Sequence, residues 1–464
     1  MGAEVFGSPN ALAYLIFFGW LPLSLFVFAI ARPMTAAMIA YLGGILLLPE
    51  RLEFDLPLVP PVGKGEVAVL SALLGSLWRM PQRFRGVPLG KSRIALAVIV
   101  GSSVVTTMAN RDVLVFGETV LQAHQASESV GLAVRELLQI GLPFFLGCAL
   151  FRSEEDLRTL LVAFLVGAVA YSPLIMLELR FSPQLHRWIY GYHQHFFAQT
   201  VRAGGYRPMV FLQHGLAVAM FMLAAVIAAF TAHRAKLKVF GRRAGIFAGY
   251  LLLLLVACKS AGALVLALVV LPASVLTLPG KQLRLAWIFS LVVIAYPLSK
   301  VAEVFPNEPL IDVARTVFSA ERAQSLEFRF DNDVKLVERA KERQWFGWGT
   351  YGRARVYDRY GKDISVTDGY WIIQFGNRGL IGLFSNFALL LLPILVLRRR
   401  FKKLADPKVR GALAGVALMV VVYTLDLLPN GLYNSVPFFL AGALLGLVMR
   451  LSRPPEVAST AGLG

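Results

Sequence analysis

The chain has 464 residues, 57% of them hydrophobic and 16% charged, and its mean hydropathy is +0.65. A soluble domain carries about 25% charged residues, so this composition excludes that class and fits a polytopic helical membrane protein. The net charge of +18 would suit a nucleic-acid binder, but the basic residues fall in short runs between apolar stretches and form no zinc finger, recognition helix or basic domain, which excludes nucleic acid as a partner and leaves the lipid bilayer.

About thirteen apolar stretches have roughly the length needed to cross a bilayer. They predict an all-α, polytopic bundle with helices over 11–31, 33–49, 66–78, 93–109, 129–150, 157–178, 209–231, 244–258, 261–278, 283–300, 369–397, 410–428 and 434–451. The first stretch has no basic residues before it and no Ala-x-Ala exit, so it reads as an uncleaved span. Counting back from Arg450 and Arg453 puts Arg398 to Lys403, Arg234 to Arg243 and Arg79 to Arg93 all on the inner side, a consistent positive-inside pattern. The same count leaves the N-terminus outside; segment 66–78 is short, and lying in the interface it would give twelve spans and an inner N-terminus. The only cysteines, Cys148 and Cys258, lie in hydrophobic segments near opposite surfaces and read as packing residues rather than a disulfide. The expected organisation is a bundle over 1–300 with an outer loop 179–208, a large outer loop 301–368 acting as a lid or catalytic element, C-terminal spans over 369–451 and an inner tail 452–464.

Taken in chain order, Arg135 and Glu136 place charge inside a span, where an ionisable group is costly and reads as functional or internally paired. The loop 179–208 combines Arg180, His186, Arg187, Trp188, Tyr190, Tyr192, His193, His195, Arg202, Tyr206 and Arg207. Such a mixture stacks on sugar rings and grips phosphate oxygens, although interfacial anchoring accounts for the aromatics equally well. His193 and His195 are two apart with no carboxylate or cysteine between them, and no His-Glu-x-x-His occurs, so no metal is expected. His214 enters the next span. Lys259-Ser260-Ala261-Gly262 breaks two short spans, as a turn near the outer surface or a kink lining a cavity. In the large loop, Pro309 to Arg343 fits one or two amphipathic helices. There Arg315, Arg322 and Arg329 recur every seven residues and share a face if the helix is continuous; the alternative is a solvated face paired with Glu321, Asp331 and Asp333. Gly347, Gly349 and Gly352 lack a flanking strand and helix, so they read as a turn folding the loop back toward the membrane rather than as a phosphate loop.

From about 200 to 395 the order of motifs resembles a family. Arg202-Ala-Gly-Gly-Tyr206-Arg207-Pro208 precedes a span and Lys259-Ser-Ala-Gly262 breaks a pair of spans. Arg322 to Arg329 leads to Trp345-Phe-Gly347-Trp-Gly349-Thr-Tyr-Gly352, then Asp368-Gly-Tyr370 and Asn377-Arg378-Gly379-Leu-Ile-Gly382. This order is similar to that of the O-antigen ligase and polymerase superfamily. The resemblance implies a bacterial inner-membrane glycosyltransferase with a periplasmic site, a polyprenyl-diphosphate-linked glycan as donor and acceptor, arginines on the diphosphate, and neither metal nor other cofactor. Chain-length and export proteins would be its further partners. Where the ligase-like pattern has His-Asn, this chain has Asp368-Gly369, which resembles the polymerase branch.

A sugar carried on a lipid diphosphate already has a good leaving group, so transfer needs cations for the departing diphosphate and a base for the acceptor hydroxyl. Arg202, Arg207, Arg322 and Arg329 are the expected cations and Asp368 the expected base, with His193, His195 and His214 in reserve; Tyr206, Lys259 and Arg135 are expected to bind substrate. Three other readings stay open at this point. A ligase would differ only in its acceptor, a flippase should show paired halves, of which no repeat is visible, and a structural subunit would not need arginines on one face.

Overall fold

The computed structural model describes residues 7–56, 59–202, 204–317 and 320–452, without the side chains of Leu56, Val59, Arg202, Val317, Glu321 and Arg322. Helix takes up 70% of it, and the strands are confined to four two-stranded hairpins. Among the described residues, seven helices are long and apolar enough to cross a membrane, and the chain is a multi-pass membrane protein. In chain order the first helices are α1 (Ala11–Ile30), α2 (Pro33–Leu47), α3 (Lys64–Arg79), α4 (Ser92–Met108), α5 (Glu128–Leu150) and α6 (Glu154–Phe181). A short α7 (Leu185–Tyr190) precedes α8 (Gly215–Arg234), α9 (Ala244–Ala257), α10 (Ala261–Leu276) and α11 (Pro279–Val301). In the large loop lie α12 (Asn307–Val317) and α13 (Ala320–Lys341), followed by α14 (Tyr370–Arg400), α15 (Pro407–Asp426) and α16 (Val436–Leu451). Each expected span contains a helix, although the one expected over 209–231 begins only at Gly215.

The loops sort to two ends. At one end Arg83 pairs with Asp156 at 2.7 Å, Arg234 donates to the Thr277 carbonyl at 2.6 Å, Arg400 to Ser452 at 3.1 Å and Arg450 to the Cys148 carbonyl at 2.9 Å. These are the basic clusters, gathered on one side. At the other end the backbone N–H of Asn10 donates to the Tyr190 carbonyl at 2.9 Å, and that of Glu50 donates to His186 Nε2 at 3.1 Å. Helix α3 runs between the ends rather than lying across one. Lys64 reaches the Phe211 carbonyl (2.7 Å) at the far end, Arg79 stands next to the basic loop, and Gly75 is pressed against Phe28 of α1.

Helices α8 and α15 form the centre, with 83% and 78% of their apolar windows buried, whereas α1 and α11 have 28% buried and turn their remaining surface outward. Where lipid replaces water, helices associate by close packing rather than by hiding apolar area. Gly442-x-x-x-Gly446 on α16 does this against α5: a Cβ on Gly442 would lie under 3.0 Å from the Phe144 carbonyl.

Helix α14 is broken at Gly379, whose φ of 66° and ψ of −171° lie in a region open only to glycine. The turn after α13 enters the break. Trp348 and Gly349 donate backbone N–H to the Gly376 and Asn377 carbonyls at 2.8 and 3.0 Å, and Leu380 returns one to the Gln344 carbonyl at 2.7 Å. Backbone groups freed by the break are thus satisfied by protein, as membrane depth requires. The glycine-rich motif is therefore a turn that docks the large loop on the bundle. The loop is fastened on its other side by fully buried Arg353, which donates to the carbonyls of Asp112 (2.8 Å) and Gln122 (3.0 Å) and to the Asp112 carboxylate (3.0 Å).

Candidate functional site

The loop between α6 and α8 is organised by one carboxylate. Buried Glu178, near the end of α6, accepts the backbone N–H groups of Leu185 (3.1 Å), Met209 (2.8 Å) and Val210 (2.7 Å), and Tyr171 Oη accepts that of Phe211 at 3.0 Å. The chain is thereby pulled over the bundle end and Arg207 is turned inward. Arg207 is 6% exposed, and its guanidinium donates from Nη2 to Ser260 Oγ at 3.0 Å, in the turn between α9 and α10. Its charge also acts on Asp426 at the end of α15, whose carboxylate accepts from Asn430 Nδ2 at 2.8 Å.

His214 caps α8. Its Nδ1 accepts the Leu216 N–H at 3.1 Å, and the His195 ring meets it edge-on with centroids 4.9 Å apart. His193 lies near Phe197, which in turn neighbours Tyr206 on the hairpin 201–206. Burial holds the imidazoles of His193 and His195 below the ordinary histidine value, with Arg187 adding to the effect at His193 and Arg51 at His195. Both rings are then neutral at pH 7, suited to hydrogen bonding rather than to charge. Lys259 takes the left-handed conformation (φ 51°) that turns α9 into α10, and its ammonium lies against Gly205. The break is a turn at the end opposite the basic loops. The Arg202 backbone pairs with Gly205, while its side chain lies outside the described residues.

The large loop brings the second group. Arg329 on α13 lies 3.4 Å (Nε to Oδ2) from Asp368, with the side chains 40% and 35% exposed. One turn further on α13, Asp333 faces Lys300 at 3.7 Å and accepts from Tyr296 Oη at 3.3 Å. The Lys300 ammonium is enclosed by the rings of Phe330 (3.7 Å), Phe305 (4.6 Å) and Tyr296 (5.7 Å). Burial pushes the Asp333 carboxyl up to about 6 against the pull of Lys300, and the neighbouring Asp368 charge pushes the same way. The arginine heptad does not make one face. Arg315 turns to Asp312 (3.0 Å) on α12, a separate helix; residues 318–319 and the Arg322 side chain lie outside the described residues. Arg315 and Arg329 are solvated, as the alternative has it, but their acidic partners are Asp312 and Asp368, while Asp333 pairs with Lys300.

The end of α15 joins the two groups. Asn430, which holds Asp426, also accepts the Tyr370 N–H through its carbonyl at 3.2 Å, and a Cβ on Gly431 would come within 3.2 Å of the Asp368 carbonyl. Arg207 and Asp368 therefore flank the same short segment. Cavities open on both sides of it, one of 320 Å³ lined by Gly431 and one of 290 Å³ lined by Thr367 and Ile373. Arg135 stands apart from both groups: it is exposed and bonds Gln139 at 3.4 Å. Its neighbour Glu136 carries the buried charge instead, pairing with Arg378 at 2.8 Å beside the break in α14.

Sequence reasoning did not single out Lys300, Asp426 or Arg378 as functional groups. Asp426 carried a signal, since it is a carboxylate within the apolar stretch 410–428 and the rule that selected Glu136 selects it too. A half-exposed carboxylate touching a guanidinium can take a hydroxyl proton while the cation faces an anionic leaving group. Among the described residues no cluster of three or more metal-ligating side chains occurs. Neither a protein-family model nor a curated protein matches the chain.

Proposed function

We propose that the chain is an inner-membrane glycosyltransferase that polymerises polyprenyl-diphosphate-linked oligosaccharides on the periplasmic side, opposite its basic loops. The observation that carries this reading is the Arg329–Asp368 pair: a carboxylate and a guanidinium 3.4 Å apart and partly open, at the end of the bundle opposite the basic clusters that join Arg83, Arg234, Arg400 and Arg450. The positive-inside bias makes the basic end cytoplasmic and this end periplasmic. In this reading Asp368 takes the proton of the acceptor hydroxyl as its oxygen attacks the anomeric carbon. The bond to the diphosphate breaks, and the departing charge is met by the forked guanidinium groups of Arg329 and Arg207. Direct attack in line inverts the anomeric centre. Asp368-Gly369, in place of the ligase-like His-Asn, supports polymerisation over transfer to another acceptor.

The test is incubation of the purified full-length protein, in lipid nanodiscs, with a short polyprenyl-diphosphate oligosaccharide. A ladder of products spaced by one repeat, with release of polyprenyl diphosphate, is the expected result. No ladder from any such substrate would overturn the reading.

A further inference from the structure

The cavity of 320 Å³ between α2, α3 and the segment after α15 has no part in the chemistry above. Its volume lies at the lower end of the range for small-molecule sites, roughly 300–1,000 Å³. Three carboxylates line it, those of Glu50, Glu53 and Glu66, together with the amides of Gln139 and Gln213 and the ring of Tyr433. The two cations on the wall, Arg51 and Lys64, are outnumbered, and Lys64 is engaged by Glu50 (3.0 Å) and the Phe211 carbonyl (2.7 Å).

The lining is set in place by the fold. Glu66 is 9% exposed and held by the Gly63 N–H at 3.0 Å, Gln213 donates to the Tyr433 carbonyl at 2.9 Å, and Tyr433 Oη donates to the Gln139 carbonyl. Fixed carboxylates and amides beside an aromatic ring recognise a hydroxyl-rich molecule, because each carboxylate oxygen accepts from a hydroxyl and the ring covers an apolar sugar face. An anionic ligand would meet net repulsion here. A metal ion is not favoured either, since the described carboxylates do not cluster with ligand geometry. The cavity also adjoins the reacting centre: its wall residue Gly431 abuts the Asp368 carbonyl.

We propose that this cavity is a saccharide subsite, selective for neutral or amino-bearing sugars over acidic ones, which seats the terminal sugar of the acceptor beside the Asp368 segment. The assignment to the acceptor rests on the transferase reading; the selectivity does not. Partial burial raises the Glu53 carboxyl above the ordinary glutamate value, and the charges of Glu66, Asp55 and Glu50 push the same way against Arg135; a bound amino group or hydroxyls would relieve that crowding.

The experiment is saturation-transfer NMR on the full-length protein in nanodiscs with three trisaccharides: triacetylchitotriose, its deacetylated amino form and trigalacturonate. The first two should bind at least tenfold more tightly than the third. Glu53→Gln, at an exposed position, should reduce that discrimination severalfold, and Gln139→Ala should weaken all binding. Equal binding of the three sugars, or unchanged discrimination in Glu53→Gln together with unchanged binding in Gln139→Ala, would overturn the subsite. Selective binding by a protein that makes no polymer would uphold the subsite while removing the transferase reading. A polymer ladder without selective binding would do the reverse.

Discussion

Glu136 and Arg378 meet at 2.8 Å inside the bundle, although 242 positions separate them. Each precedes a helix irregularity: the π-helical turn Leu137–Gly141 follows Glu136, and the Gly379 break follows Arg378. The side chains are 11% and 6% exposed, so removing one leaves an uncompensated charge in a low-dielectric interior, at a cost of about 3–5 kcal/mol. Glu136→Leu and Arg378→Leu should each lower the apparent thermal midpoint in detergent sharply, and the double variant should recover most of the loss. A single variant with the parent midpoint would show that the pair does not hold the two irregular helices together.

Gly379 tests the docking of the large loop. Its conformation costs any other residue about 1–3 kcal/mol in the backbone alone, and a Cβ would also lie under 3.0 Å from the Trp345 carbonyl group. Gly379→Ala should therefore free the loop, read as faster proteolysis between α13 and α14 with the bundle intact. Protection equal to the parent would mean that the Trp345–Gly349 turn is not held by the break.

The spans were legible because apolar length is a local property, and the gathering of the basic runs at one end was legible because they fall in short loops between successive spans. Interruptions within an apolar run were not. Gly379 sits in the continuous stretch 369–397, and only the turn docked on it from outside explains why the helix breaks there. The loop arginines were legible as residue types but not as a set: spacing of seven suggests one face only on one helix, and Arg315 and Arg329 are on two. The saccharide cavity escaped because Glu50 and Glu53 read as a connector between spans and Glu66 as the first residue of the next one, and their common wall depends on Gln213 and Tyr433 from far along the chain.

The Arg329–Asp368 pair separates function from folding. Both side chains are more than a third exposed, where an ion pair contributes about 0–1 kcal/mol. Arg329→Met and Asp368→Asn should accordingly keep membrane abundance and thermal midpoint near the parent while polymer formation falls by at least a hundredfold. Arg329→Lys should recover only part, because an ammonium lacks the forked geometry that matches a diphosphate. Full-length polymer from Asp368→Asn would remove this carboxylate as the base.

Asp333 gives the site a pH dependence. It lies four residues after Arg329 on α13, and its pairing with Lys300 at 3.7 Å fixes that helix against α11. With its carboxyl near 6 in the folded chain and 3.8 ordinarily, the folded protein holds the extra proton between those values. This group's contribution to stability is therefore fully present below about 4 and is lost as pH rises through about 6. The ion pair that seats Arg329 follows the opposite course and forms only above about 6. Polymer formation should fall on acidification through pH 6 while the thermal midpoint rises or holds. Asp333→Asn should abolish that limb at a reduced plateau, and Lys300→Met should move it to higher pH, because the ammonium is what opposes protonation of Asp333. A limb unchanged in both variants would assign the titration to another group and leave the α11–α13 contact without a role in presenting Arg329.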